Sequence, residues 1–296
     1  MNYKRIIKSR SLRFAILRAL EWIPDSIMVR MQYRIKMGFW PDMKHPRRFT
    51  EKLQLYKLRY RNPVMPQCVD KYEVRKYVES KSLGHILNDF YGIYSHFDDI
   101  NFGTLPESFV IKSTTGGGGL NVFVINDKNT CNWDEIRKEV ETWGMYKNGS
   151  FSYGREWAYS GMGETRIIIE RFLEDKQADG LTDYKFFCFN GKPYCVQVDT
   201  GRFDGHHQNY YDMNWHSLGV HCTYPEGESK NCPLNFDEMK QAVEVLSADF
   251  PFVRVDLYNV NGKIYFGELT FYPSSGYGKF HPDEFDVQLG THFTEY

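Results

Sequence analysis

A lysine followed by four consecutive glycines is the most conspicuous chemical signal in the sequence. The segment FVIKSTTGGGG is a predicted strand that carries Lys112, and it runs on into Gly116, Gly117, Gly118 and Gly119. Residues without side chains let backbone N–H groups close around an anion, and a nearby ammonium adds charge. In a P-loop the lysine follows the glycines and a helix comes next, so this is a different arrangement. The segment predicts a loop that covers a phosphate, with a plain hairpin tip as the alternative.

An acidic hairpin near the C-terminal end is the second signal. The alternation of side chains along a strand puts Arg254 and Asp256 on one face of the first strand, and Glu268 and Thr270 on one face of the second. An Asn261-Gly262 turn joins the two strands. Carboxylate and hydroxyl oxygens suit Mg²⁺, which usually takes further oxygens from substrate phosphates. The hairpin therefore predicts a magnesium site, with a structural ion pair to Arg254 as the alternative.

Two further segments carry weaker signals. The sequence IIIERFLED, at positions 167–175, is a buried strand that ends in charge, which suits a connector against which a flat base lies. The polar segment 202–209 is predicted to be a loop between strands, either lining an acceptor pocket or forming a solvated turn. None of the histidines has partners at the spacing of a zinc site.

Composition limits the class of protein. The chain has 296 residues, 42% of them hydrophobic and 17% aromatic, which excludes a disordered protein and suits one large domain or two to three packed lobes. The formal net charge of -1 gives no general signal for nucleic acid. Residues 1–48 nevertheless hold twelve Lys and Arg against three Asp and Glu, a net charge of +9.

This basic N-terminal arm has a helical apolar stripe at Leu12, Ile16, Leu20 and Ile23. It is predicted to dock on an anionic surface, either lipid headgroups or an acidic glycan, or else to be an ordinary packing helix. Apolar runs are too short to cross a bilayer, and no signal-peptide cleavage site follows the arm. We therefore expect a cytoplasmic protein, with peripheral contact at the inner face of the membrane through this arm.

The order of predicted elements indicates an α+β fold with largely antiparallel sheets in the second two thirds. Thr50 is predicted to cap a helix that runs to about Arg61, and Asn190-Gly191 and Asn261-Gly262 are predicted hairpin turns. Further helices are predicted around 69–80, 133–143 and 236–248. The predicted strands are 90–94, 109–113, 122–125, 165–170, 184–189, 194–199, 252–258 and 263–269.

Read in chain order, these segments resemble the nucleotide-binding motifs of the ATP-grasp superfamily. The matching segments are DKY at 70–72, FVIK with GGGG, IIIERFLE, DYKFFCFNGKP and RVDLYNVNGKIYFGELTFYPSSG. The flanking sequences FTEKLQ and QCVDKYEVRKYV are similar to the TupA-like branch, named for teichuronopeptide biosynthesis. The resemblance covers roughly residues 40–290 and implies two α+β lobes that hold ATP and Mg²⁺ between them.

The resemblance also implies roles for residues. Lys112 and Lys71 would meet the α and β phosphates beneath the glycine lid. Lys185 and Arg202 would face the γ-phosphate or the acceptor, and Arg254 would stabilise a developing oxyanion. The implied adenine and ribose contacts are Glu170, the backbone of Arg171 and Leu173, and Asp183. The implied metal ligands are Asp256, Glu268 and Thr270, and the implied substrate contacts are His206, His207, Asn209, Ser274 and Ser275.

Thr270 departs from the pattern, because many superfamily members have asparagine at that position. The implied domains are a helical, basic acceptor-recognition region at 1–105, a lid lobe at 106–173 and a C-terminal lobe with the metal site at 174–296.

The implied activity is an ATP-dependent carboxylate-amine ligase that joins an amino acid or amine to a uronic acid of a capsular or other cell-envelope polysaccharide. The alternative is a nucleotide-sugar glycosyltransferase of the same pathway, although the chain has no D-x-D motif.

Overall fold

Two antiparallel sheets form the framework of the protein in the computed structural model, which describes residues 9–116, 121–143, 153–160, 162–174, 180–201 and 205–296. One sheet has the strand order β1-β4-β2-β3 and the other the order β10-β9-β5-β6-β7, while β8 pairs with β11. The strands are β1 Phe90–Tyr94, β2 Phe109–Ser113, β3 Val122–Ile125, β4 Ile167–Arg171, β5 Asp183–Phe189, β6 Lys192–Thr200, β7 His207–Asp212, β8 His221–Cys222, β9 Phe252–Val260, β10 Lys263–Thr270 and β11 Phe280–His281.

Helices lie before, between and after the sheets. They are α1 Arg10–Ala19, α2 Asp25–Met37, α3 Phe49–Arg59, α4 Met65–Val69, α5 Val74–Ser80, α6 Trp133–Thr142, α7 Trp157–Ser160, α8 Phe236–Ser247 and α9 Glu284–His292. The predicted α+β class with largely antiparallel sheets is confirmed. Within the described residues, no helix is long and apolar enough to cross a membrane.

The two predicted Asn-Gly hairpins are confirmed. Asn190-Gly191 joins β5 to β6 and Asn261-Gly262 joins β9 to β10. All four residues have positive φ, between 50° and 78°. Two consecutive left-handed residues match the right-handed twist of the flanking strands, and asparagine followed by glycine adopts them at low cost.

The five-stranded sheet is covered unequally on its two faces. One face packs against α8 through an apolar layer that includes Phe186 and Phe236, whose ring centroids are 5.9 Å apart. The opposite face is covered at one end by Phe49 of α3, which contacts Phe187 and Phe252 edge to face. The remaining part of that face carries polar and charged residues instead.

The four-stranded sheet also has one apolar and one polar face. Phe109, Ile111, Ile167 and Ile169 pack with α6 in a second hydrophobic core. Lys112 and Glu170 lie on the other face, since side chains alternate along each strand. This sheet begins with β1, at Phe90, which precedes the predicted lobe boundary at residue 105.

Two predictions for the N-terminal region are wrong. The helix predicted to be capped by Thr50 begins after Arg48, and the carboxylate of Glu51 accepts the backbone N–H groups of Arg47 and Arg48 at 3.0 and 3.1 Å. The Thr50 hydroxyl instead donates to Asp286 of α9 at 2.6 Å, a partner 236 residues away. The predicted stripe from Leu12 to Ile23 is broken, because α1 ends at Ala19 and α2 begins at Asp25.

The buried Asp286 links stability to pH. Its carboxylate accepts the backbone N–H of Thr50 at 2.9 Å and lies 3.5 Å from Arg48, and burial raises its pKa from 3.8 to about 6. Because the folded state holds this proton more tightly, the free energy of unfolding should fall as pH rises from about 4 to about 6.

We expect Asp286→Asn to gain stability relative to the wild type over that range, by at most about 3 kcal/mol, since its amide does not titrate. Urea unfolding at a series of pH values measures the difference. Asp283→Asn is the matched control, because Arg48 lowers the pKa of the exposed Asp283 carboxyl, so its contribution to stability is lost only below this pH range. A constant difference between wild type and Asp286→Asn across this range would contradict the prediction.

Candidate active site

A buried cluster of charges occupies the open face of the five-stranded sheet. The guanidinium of Arg254 donates to both oxygens of Asp256, Nε to Oδ1 at 2.7 Å and Nη2 to Oδ2 at 2.6 Å. The same Nη2 donates to Glu268 at 3.2 Å and to the Thr270 hydroxyl at 3.1 Å, and that hydroxyl donates to Glu268 at 2.9 Å. These residues, with Lys185 and Asp183, are called the charged cluster below.

A β-bulge in β10 sets which residues of the hairpin share a face. Before the bulge Phe266 is opposite Leu257, and after it Glu268 is opposite Asp256 and Thr270 is opposite Arg254. Without the extra residue Glu268 would be paired with Val255 and would point to the other face. The bulge lies at Gly267, where a Cβ atom would stand 2.9 Å from the backbone oxygen of Asp256.

The register of the sheet extends the polar surface beyond the hairpin. Glu268, Asp256, Lys185, Gln197 and Tyr210 are opposite one another on five consecutive strands. The Lys185 ammonium donates to Asp256 Oδ2 at 2.8 Å and also to Asp183. The Tyr210 hydroxyl donates to Gln197 at 2.6 Å. One continuous polar row therefore crosses the sheet.

The charges shift one another's pKa values. Burial raises the pKa of Asp256 to about 6, against the opposing effect of Arg254 and Lys185. Desolvation works to raise the pKa of Glu268, but Arg254, Lys185 and Lys71 outweigh it and lower this pKa to about 2. The Glu268 side chain remains 44% exposed, so it is the carboxylate of the cluster that opens to the cleft.

The opposite wall of the cleft comes from the four-stranded sheet. Lys112 donates to Glu170 at 2.6 Å, and Lys71 donates to the carbonyl oxygen of Gly116 at the start of the glycine segment. Burial lowers the pKa of Lys71, as does Lys112, whereas Glu268 and Glu170 oppose that effect. Lys71 therefore interacts electrostatically with Glu268 of one sheet and with Lys112 and Glu170 of the other.

The predicted adenine contacts lie at the end of β4. The backbone N–H of Arg171 donates to the Asp89 carbonyl at 2.9 Å, and the Asn88 amide donates to the Arg171 carbonyl at 2.8 Å. A carbonyl oxygen accepts two hydrogen bonds, so the Arg171 carbonyl retains one acceptor position. Leu173 follows two residues later and is partly buried. Asp183, the predicted ribose contact, is paired with Lys185 in the charged cluster.

The two predicted substrate serines lie in a short turn, Pro273–Gly276, called the serine loop below. Ser274 and Ser275 have left-handed backbones, with φ of 50° and 57°. The buried Lys57 of α3 holds the loop by donating to the Ser275 carbonyl at 2.6 Å, and Gln54 donates to the Gly276 carbonyl at 2.8 Å. Burial lowers the pKa of Lys57 to about 7.

The prediction that residues up to 209 form a loop is wrong, because β7 begins at His207. Asn209 lies within β7, and its amide donates to the Gly227 carbonyl at 3.1 Å and accepts the Gly227 N–H at 2.9 Å, so it anchors a neighbouring segment. His206 stacks on Tyr224 with centroids 3.8 Å apart and lies 3.5 Å from Asp199. Asp199 pairs with Asp183 in the sheet and brings His206 near the charged cluster.

Some predicted site residues lie outside the described residues, and the others define what the site can hold. Those outside are Gly117, Gly118, Gly119 and Arg202. Within the described part of the chain, no group of three His, Cys, Asp or Glu residues is arranged as a metal site. Asp256 and Glu268 supply two carboxylates on one face, which fits Mg²⁺ only if substrate phosphates complete its shell.

Sequence reasoning missed three features of the site. Gly267 inside a strand pattern is a recognised sign of a bulge, so this feature left a trace in the sequence. Lys57 and the row residues Gln197 and Tyr210 left none, since their roles depend on partners that are distant along the chain.

The two antiparallel sheets and the charged cluster agree with the class of protein that a family comparison identifies. A model of the TupA-like ATPgrasp family matches residues 51–294. The chain therefore belongs to the TupA-like ATP-grasp family, as the sequence motifs indicated. No curated protein matches the chain.

Several solved structures are similar to the chain at low identity. D-alanine–D-alanine ligase from Bacillus anthracis is 19% identical, over 69% of this chain and 57% of that one, with a TM-score of 0.43. L-amino acid ligase from Bacillus licheniformis is 14% identical, over 77% and 47%, with a TM-score of 0.43. N5-carboxyaminoimidazole synthetase from Staphylococcus aureus, complexed with ADP, is 16% identical, over 75% and 50%, with a TM-score of 0.43. The chain spans about half the length of these structures.

The bulge at Gly267 can be tested directly. Gly267→Ala places a methyl group against the Asp256 backbone, so we expect Glu268 to be displaced and the affinity for ATP with magnesium to fall about tenfold or more. Thermal stabilisation by ATP and magnesium measures this affinity. Gly163→Ala is the control, because a Cβ atom there meets nothing within 4 Å. Equal stabilisation of both variants would show that the bulge does not position Glu268.

Proposed function

We propose that this protein is an ATP-dependent carboxylate-amine ligase that works through an acyl phosphate. The observation that carries the proposal is a group of four cations, three on strands of the two sheets and one in the turn before α5, that interact with the carboxylates of Glu170 and Glu268. These cations are Lys71, Lys112, Lys185 and Arg254. A triphosphate with its magnesium is the ligand class whose charge such a set matches, and the family match supports the same ligand.

The first step transfers a phosphoryl group. A carboxylate oxygen of the substrate attacks the γ-phosphorus of ATP, the bond from that phosphorus to the β,γ-bridging oxygen breaks, and ADP leaves with the electron pair. Lys112 and Lys71 would neutralise the phosphates, and Lys185 would face the transferred group. In this step Lys112 exchanges its carboxylate partner Glu170 for phosphate oxygens.

The second step forms the amide. A neutral amine attacks the carbonyl carbon of the acyl phosphate, the carbon–oxygen bond to phosphate breaks, and inorganic phosphate leaves. The amine nitrogen gives up a proton to solvent or a base. Arg254 would stabilise the negative charge on the oxygen during the attack, because its guanidinium is already fixed by Asp256.

Magnesium would supply charge neutralisation of the phosphates when it is bound. Asp256 and Glu268 would hold it, with Thr270 as a hydroxyl ligand or a hydrogen-bond donor. Both carboxylates now accept hydrogen bonds from Arg254, so binding of the metal requires that the guanidinium share or release them. The pairing keeps the carboxylates satisfied while no cation is bound.

The proposed acceptor is a uronic acid of a capsular or other cell-envelope polysaccharide, and the proposed donor is an amino acid or amine. The TupA-like family resemblance motivates this choice, together with the +9 charge of residues 1–48, which would favour an anionic polymer or lipid-linked intermediate. A cytoplasmic location with contact between this arm and a membrane or anionic glycan remains part of the proposal. Ser274, Ser275 and His206 are the proposed acceptor contacts.

An ADP-release screen of uronic acids against amino acids and amines tests the function. We expect release that requires both partners, and a loss of about 10²-fold or more in Asp256→Asn and in Lys112→Ala, because each removes charge stabilisation in a desolvated site. Lys192→Ala is the control, since Lys192 is 76% exposed at the start of β6 and pairs with Glu244 outside the charged cluster.

The screen also separates the alternatives. Release with one hydroxyl-bearing partner and no amine would indicate a kinase. Thermal stabilisation by a UDP-sugar, and not by ATP with magnesium, would indicate the glycosyltransferase and refute the ligase.

The serine loop gives a further prediction for the acceptor. Lys57→Met keeps the side-chain volume but removes the donor to the Ser275 carbonyl, so we expect the KM for the acceptor to rise about tenfold while the KM for ATP is unchanged. Lys52→Met is the matched control in the same helix, because Lys52 donates to the carbonyls of Gly290 and Phe293, away from the loop. An equal rise in both variants would assign Lys57 a purely structural role.

A further inference from the structure

Helix α2 has apolar side chains on two opposite sides. Its inner side, with Met28, Val29, Tyr33 and Met37, is buried. Its outer side carries Ile27, Met31 and Ile35, which are 50, 38 and 48% exposed. These three residues are spaced four apart, so they form one line about 12 Å long on the helix surface. This line is called the apolar stripe below.

A surface helix of a soluble protein normally presents polar residues on its outer side. The apolar stripe therefore offers a contact surface for an apolar partner. Two exposed tryptophans lie at the two ends of α2. Trp22 precedes the helix and is 79% exposed, and Trp40 follows it and is 62% exposed. Tryptophan is the residue that most favours the boundary between water and lipid, because its ring is apolar and its N–H is polar.

Most charged residues near the stripe are basic, although the exposed acidic residues Glu21 and Asp25 precede it. Arg30 and Arg34 are spaced four apart on the same helix and are exposed, and Arg18 is exposed in the last turn of α1. Residues 1–48 carry a net charge of +9, so the remaining residues carry a net charge of -10. Apolar residues flanked by arginines suit the surface of a bilayer. The apolar side chains would contact the acyl chains, and the arginines would contact the anionic phosphates above them.

We propose that the apolar stripe of α2, with Trp22 and Trp40, is a surface that docks the protein on an anionic phospholipid bilayer. The helix lies in the plane of the headgroups, inserts the stripe among the upper acyl chains and places Arg18, Arg30 and Arg34 at the phosphates. This assignment differs from electrostatic docking by the arm alone, because it requires insertion of apolar side chains.

The same helix is tied to the serine loop. Tyr277, which follows the loop, donates its hydroxyl proton to Gln32 of α2 at 2.9 Å, and its ring lies 4.0 Å from the ammonium of Lys36. Gln32 also donates to the Tyr153 carbonyl at 3.0 Å. A bilayer bound to the outer side of α2 would therefore lie one helix thickness from the loop that we propose to contact the acceptor. This geometry suits an acceptor carried on a lipid.

Vesicle sedimentation tests the proposal with the full chain. The wild type should pellet with phosphatidylglycerol-containing vesicles and much less with pure phosphatidylcholine, and binding should weaken as salt is added. The triple variant Ile27→Ser, Met31→Ser, Ile35→Ser should bind about tenfold or more weakly, since three partly inserted apolar side chains are lost. The double variant Arg18→Gln, Arg30→Gln should lose the preference for the anionic lipid.

The matched control is Leu234→Ser with Val245→Ser, two exposed apolar side chains outside the stripe, which should leave binding unchanged. Quenching of tryptophan fluorescence by brominated lipid should fall in Trp22→Phe with Trp40→Phe if these rings enter the bilayer. ADP release in solution should be the same in the triple variant as in the wild type, which separates failure of docking from failure of the proposed activity.

Three outcomes would overturn the proposal. The first is absence of binding to anionic vesicles by the wild type, and the second is equal binding by the triple variant. The third is a wild-type dimer in light scattering that the triple variant dissociates, without any difference in vesicle binding. That result would show that a second copy of the chain covers the stripe.

Discussion

The sharing of one buried carboxylate between two cations is the constraint on which the rest of the structure depends. Asp256 is 2% exposed and accepts hydrogen bonds from both Arg254 and Lys185. Loss of either cation would leave the remaining one to neutralise the buried carboxylates of Asp183 and Asp256, which is more costly than loss of an exposed ion pair. Strands β5, β9 and β10 must therefore keep one register, and the bulge at Gly267 is what brings Glu268 to the same face. The fold and the site are set by the same contacts.

The charges of the cleft are arranged so that each has a partner before any ligand is present. Arg254 and Lys185 are held by carboxylates on the C-terminal sheet, and Lys112 is held by Glu170 on the other. In the proposed complex with a nucleotide and its metal, phosphate oxygens would replace the carboxylates as partners of the lysines. The metal ion would replace Arg254 as the partner of the acidic residues. Charged groups that are already held in place by their partners are the condition for electrostatic preorganisation.

The N-terminal region is part of this arrangement and not an appendage. Phe49 of α3 packs into the aromatic core at one end of the C-terminal sheet, so it decides how much of that face stays open. The same helix carries Lys57, which holds the serine loop, and α2 packs on the residue that follows the loop. Two short helices, α2 and α3, thus connect the proposed acceptor contacts, the face that carries the charged cluster and the proposed bilayer surface.

The sequence alone determined the features that depend on neighbouring residues. Eight of the eleven described strands were predicted from the sequence, and β7, β8 and β11 were not. The two hairpins follow from Asn-Gly pairs that accept left-handed backbones. The order of the sequence motifs along the chain identified the family. Tertiary structure decided what depends on distant partners: Thr50 bonds to Asp286 across 236 residues instead of capping its helix, and Lys57 reaches Ser275 across 218. Tertiary structure also decided the face on which Glu268 lies. A single extra residue in β10 reverses the direction of every side chain after it. Counting the alternation along one strand cannot detect this residue, because the bulge is defined by the pairing with β9.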